Sequence, residues 1–239
     1  MRKLPGLSGL WPVLCLLAAC ATPAPAMPVP EAAQIALPDN PEAADMTASF
    51  TGLMERKLPI LDRLAVITAR DRYVRSVFIS RFSDEALDPD VRAAFQAAGG
   101  AYVSRVDTID TEALKSVLED YSWADIIEGD PALFDRVFSV VQHSPDMAFR
   151  AQVLAEIRPY AERGEIDRQN YALMYDKVEL AAGRQQLYGS QYKCIDGQYN
   201  VHDLKDPETV DVRRAAMGMG PLQEYIEQGR DYYGPCTDD

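Results

Sequence analysis

The sequence predicts an α+β fold that is predominantly α-helical, with a small antiparallel hairpin and one disulfide. Three observations carry that expectation. Apolar residues recur at helical spacing along most of the chain beyond residue 42, and several stretches open with Asp-Pro, a capping carboxylate ahead of a proline suited to the first helical turn. Period-two alternation is concentrated in "QQLYGSQYKCIDGQYNVHDL", where Asp196-Gly197 is a dipeptide that favours a two-residue hairpin turn. Finally, Cys194 and Cys236 are the cysteines left to pair once the N-terminal segment is set aside.

That N-terminal segment, "MRKLPGLSGLWPVLCLLAACATPAPAMPVP", has the order of an export signal: Arg2 and Lys3, an apolar run, then small residues. The run is too short for a membrane span, which needs roughly 20 apolar residues. Leu17-Ala18-Ala19-Cys20 resembles the lipobox of bacterial lipoproteins. The resemblance implies residues 1–19 as signal peptide, lipid (palmitate among its acyl chains) on Cys20, and, with Ala21 next in line, delivery to the outer membrane facing the periplasm. Residues 20–41 are rich in proline and alanine and read as an extended tether of up to roughly 60 Å at about 3.1 Å per residue. Residues 42–239 are then expected as a single globular domain.

Charge narrows the partners. The whole sequence has formal net charge -13, and losing residues 1–19 removes two basic residues and no acid. Such a surface repels nucleic acid and anionic lipid head groups, so the expected partners are the membrane through the lipid anchor and an unknown protein or polar small molecule. An oxidising compartment suits a disulfide between Cys194 and Cys236.

Helices are expected at about 43–57, 60–82, 89–104 and 111–120, with a helix break in "GGAYVSR" at 99–105. Asp88-Pro89, Asp130-Pro131 and Asp206-Pro207 mark helix starts. In "DPALFDRVFSVVQH" the apolar residues from Leu133 to Val141 share one face, and His143 projects about 140° from its centre. Pro145 pushes Ser144 out of the α region, which ends that helix and frees Ser144 to cap the next. There Asp146 shares a stripe with Phe149, Val153 and Ile157. A helix at 168–182 follows, with Asp176 on the flank of its core stripe and Gly183 ending it. The turn sets the hairpin register: Ile195 opposes Gln198, Cys194 opposes Tyr199, Tyr192 opposes Val201 and Gln191 opposes His202. Tyr188, Tyr192, Cys194, Tyr199 and Val201 then face inward, and Gln191, Lys193, Asn200 and His202 outward. Helices at 207–217 and 221–229 close the chain, with Arg213 or Arg214 drawn inward to a carboxylate.

The stretches "VVQHSPD", "YALMYDKVELAAGRQQLYGSQY" and "VDVRRAAMGMGPLQEY" resemble an uncharacterised bacterial family, a domain of unknown function. Its pattern is Gln-His-x-x-Asp, Asp-Arg-Val, Gly-x-x-Gln-x-Tyr-Gly-Thr-Gln and Asp-x-Arg-Arg, and the resemblance spans about residues 123–227. Gln142, His143, Asp176, Val178, Gly183, Gln186, Tyr188, Gly189, Gln191, Asp211, Arg213 and Arg214 match. Lys177 and Ser190 depart from it, where arginine and threonine are usual. The resemblance implies no reaction.

Two main readings follow. In one, His143 is a general base oriented by Asp146, with Gln142, Asp176, Tyr188, Gln191 and Arg213 or Arg214 binding a polar envelope substrate for a hydrolase or transferase. In the other, the same residues form a structural network inside a tethered binding or assembly module; ligand sensing is a third. With two histidines and no Cys-x-x-Cys, no metal site is expected, and without a Gly-rich phosphate loop or a Gly-x-Ser-x-Gly elbow no cofactor or serine nucleophile is assigned.

Overall fold

The computed structural model describes residues 58–82, 88–233 and 236. The signal peptide, Cys20, the tether and the helix expected at 43–57 lie outside them. The chain divides into two compact units, with the boundary in the sequence between Asp146 and Met147. Among the described residues there are eight α-helices and one two-stranded sheet.

The first unit is helical. Helix α1 (Ile60–Phe82) and α2 (Pro89–Leu118) run antiparallel, since Arg63, Arg70 and Arg75 bond to Ser116, Asp110 and Asp107 in reverse order. Helix α3 (Trp123–Gly129) packs on α4 (Pro131–His143), and α4 packs on both long helices. Leu64 and Ile67 of α1, Leu114 and Val117 of α2, and Trp123, Phe134, Val137 and Val141 are buried, while Val74 and Val106 form a core cluster with Tyr73, Phe95, Tyr102 and Val103 packed against it.

Asp88 and Asp130 cap α2 and α4 as the Asp-Pro pairs predict, each carboxylate accepting two backbone N–H groups. The expected break in α2 does not occur: the helix runs through Gly99-Gly100 and on past residue 104. Each glycine weakens a helix by about 1 kcal/mol. That cost is outweighed here by burial of Val106, Leu114 and Val117 further along the same helix.

The second unit begins with α5 (Met147–Arg163) and α6 (Arg168–Ala181), which pack together. Strands β1 (Tyr192–Ile195) and β2 (Gln198–Val201) follow, then a 3₁₀ turn at Pro207–Thr209, α7 (Val210–Ala216) and α8 (Leu222–Tyr233). The hairpin has the register set by Asp196-Gly197, with Tyr192, Cys194, Tyr199 and Val201 on the more covered face and Lys193, Ile195, Gln198 and Asn200 exposed. Cys194 and Cys236 form the disulfide, closing 42 residues.

Two expectations are corrected. The alternation from Gln185 to Ser190 is not strand; Gly189 takes φ +62° and the backbone turns around a buried carboxylate. Asp206 does not cap with its side chain: it is left-handed at φ 41°, and its carbonyl serves Thr209 and Arg213 instead.

Candidate functional site

Two polar clusters stand out, one in each unit. In the first, Asp71 of α1 lies on the buried stripe of Leu64, Ile67 and Val74 and is 2% exposed. His143 Nδ1 lies 2.8 Å from Asp71 Oδ1, and the same oxygen accepts from Arg75 at 2.7 Å. Arg75 also donates to Asp107 at 2.7 Å. Arg70, next to Asp71 in the sequence, donates through Nε and Nη2 to Asp110 Oδ1, one turn on from Asp107, both residues being buried.

This cluster sets three carboxylates against two guanidiniums, leaving one negative charge that a proton on His143 or on a carboxyl cancels. Asp110 Oδ2 is buried and has no hydrogen-bond partner among the described residues. Burial pushes the Asp110 carboxyl up to about 7 against the pull of Arg70, with Asp71 and Asp107 adding to the rise. Burial also raises Asp107, opposed by Arg75 and His143.

Asp146, the residue expected to orient His143, precedes α5 and pairs at the surface with Lys115 at 2.8 Å. Ser144 leaves the helical region at ψ 133°, and its hydroxyl accepts from the Asp146 N–H at 3.1 Å. A carboxylate that holds the histidine ring is Asp71, which the motif pattern does not include. Its signal in the sequence is a charged residue on an apolar stripe, with Arg75 four residues on.

In the second unit the motif residues gather on the loop from Gly183 to Gln191. Asp176, wholly buried, accepts the N–H groups of Leu187, Tyr188 and Ser190 at 2.8 to 3.2 Å. Burial raises its carboxyl, and those backbone bonds work against the rise. Gln186, also wholly buried, donates to the carbonyls of Gln191 and His202 and accepts from the Gln191 N–H. Gln191 itself donates to Ser190 Oγ at 3.1 Å and to the Leu173 carbonyl at 3.4 Å.

Both arginines meet carbonyl oxygens. Arg213 donates to the carbonyls of Leu187, Lys205 and Asp206 and to the Thr209 hydroxyl. Arg214, 1% exposed, donates to Tyr188 and Gly220 carbonyls and lies over the Tyr225 ring at 4.9 Å. Burial lowers its guanidinium below the usual arginine value. Asp211 accepts the Leu222 N–H at the start of α8. These side chains bond the backbone that surrounds them, which is what the buried stretch around Gln186, Gly189 and Ser190 requires.

Among the described residues no group of three or more His, Cys, Asp or Glu side chains is placed to hold a metal ion, and no helix is long and apolar enough to cross a membrane. No curated protein and no solved structure matches the chain. A family profile described as a family of unknown function matches residues 85–237. The span takes in Asp107, Asp110 and the motif residues from Gln142 to Arg214, and stops short of Arg70, Asp71 and Arg75. Because it covers well over half the chain, the protein belongs to this family, DUF6624.

Proposed function

We propose that the protein is a lipid-anchored lipoprotein on the periplasmic face of the outer membrane, acting as a binding or assembly module of the cell envelope. The observation that carries the module reading is how the motif's polar groups are used. Asp176, Gln186, Arg213 and Arg214 bond their own chain's backbone, so they build a surface and are not themselves free to perform chemistry. The lipobox-like Leu-Ala-Ala-Cys, the tether composition and a disulfide suited to an oxidising compartment support the location.

Two measurements test this. Expressed in a Gram-negative host with labelled palmitate, the parent takes up label and fractionates with the outer membrane, and Cys20→Ala does neither; an unlabelled parent would sink the anchor. Asp176→Ala and Arg214→Ala lose stability by more than about 2 kcal/mol in equilibrium unfolding. Full stability in both would remove the structural role.

A second reading, a hydrolase or transferase with His143 as general base, is favoured by the His143–Asp71 pair, in which a buried carboxylate holds an imidazole in one orientation. It predicts that Asp71→Asn and His143→Gln abolish turnover of a polar envelope substrate while Asp146→Asn does not.

A further inference from the structure

Three tyrosines meet beside the loop that Asp176 holds. Tyr171 and Tyr175, one turn apart on α6, stack with ring centroids 6.3 Å apart, and Tyr188 meets Tyr175 edge-on at 5.9 Å. Tyr171 is 6% exposed and the other two are half-buried. None of the three hydroxyls bonds to another group of the described residues, and none is sealed from solvent. Other tyrosines of this unit differ: Tyr225 donates to the Ser190 carbonyl at 2.9 Å, and the Tyr192 hydroxyl is buried.

The charges around the rings are balanced. Arg158 of α5 acts on all three phenols and pairs with Glu162 at 2.7 Å. Arg184 acts on Tyr175 and pairs with Glu179 at 2.6 Å. In a chain of formal net charge -13, these rings are thus flanked by matched ion pairs.

Tyr188 is the motif side chain that the internal network leaves over. Its N–H goes to Asp176 and its carbonyl to Arg214, while Leu187 before it is held by Asp176 and Arg213. The backbone on either side is fixed, and the half-buried phenol keeps a hydroxyl that is not sealed from solvent.

We infer that Tyr175 and Tyr188, backed by the buried ring of Tyr171, form a binding site for an uncharged saccharide; the inference rests on the binding reading above and names its ligand class. Rigid aromatic faces pack against the C–H faces of sugar rings, and phenols supply both donors and acceptors for sugar hydroxyls. Matched ion pairs offer little net attraction to an ionic ligand.

The test uses the full-length protein in detergent on an array of neutral and acidic oligosaccharides, with insoluble cell-wall sacculi in parallel. The parent is expected to bind neutral saccharides, with Tyr175→Ala and Tyr188→Ala weakening this by about tenfold or more. Tyr175→Phe and Tyr188→Phe keep the rings, so they guard against misfolding and are expected to weaken binding by about threefold. Absence of binding to every saccharide, or binding to acidic ones alone, overturns the ligand class. Saccharide binding that all four variants retain overturns the site. In either case, a defined cross-linked protein complex in cells would leave the module reading standing.

Discussion

The Asp110 carboxyl is 1% exposed, holds Arg70 with one oxygen, and has no partner for the other among the described residues. Its ordinary value of 3.8 is raised to about 7, so between those values the folded chain holds a proton that the unfolded chain has released. The stability this group contributes is complete on the acid side and is lost as pH rises through about 7. Asp110→Asn retains an acceptor for Arg70 and removes the titration. Urea unfolding at several pH values should then show a smaller fall in stability between about pH 4 and pH 7, and a more stable variant at pH 8. An unchanged slope would assign the effect to Asp107 or Asp176, which burial also raises. His143→Ala deprives Asp71 of a hydrogen-bond partner, leaving Arg75 on the same oxygen, and is expected to cost about 2 kcal/mol. Asp146→Ala removes an exposed pair with Lys115 and should cost much less.

The loop from Gly183 to Gln191 shows how backbone conformation and packing divide the work of two motif glycines. Gly183 has φ +70° with open space around it, and ends α6 in a Schellman arrangement in which Gly183 N–H reaches Leu180 and Arg184 N–H reaches Glu179. Gly189 has φ +62°, and a Cβ there would lie 3.1 Å from Leu222 and 3.3 Å from Val201. Gly183→Ala should therefore cost about 1 kcal/mol from the left-handed conformation alone. Gly189→Ala should cost about 2 kcal/mol or more, because neighbours must also move. Equal losses in urea unfolding would mean that the crowding is relieved at no cost. Asp176→Ala strands three N–H groups, that of Ser190 buried and those of Leu187 and Tyr188 partly so, and is expected to cost about 3 kcal/mol or more, with loss of hydrogen-exchange protection at all three.

Across the molecule, the Cys194–Cys236 bridge ties the hairpin to the residue beyond α8 over a separation of 42. Chain-entropy arithmetic puts its contribution at about 4 kcal/mol. Reduction should lower stability by that order, with hairpin amides exchanging earlier than those of α6; an unaltered unfolding curve under reductant would show that the bridge constrains little. The sequence carried the helical class, the Asp88 and Asp130 caps, the Ser144 boundary, the hairpin register and the cysteine pairing. Each depends on neighbours along the chain or on residue types with one strong preference. That His143 would meet Asp71 was not legible, because Asp71 lies 72 residues away and the packing of α1 on α4 brings the two together. The continuity of α2 through two glycines, and the use of Gln186 and Arg214 as struts for backbone carbonyls, likewise depended on packing. Burial decides whether a polar side chain must serve its own chain, and burial comes from elements distant in sequence.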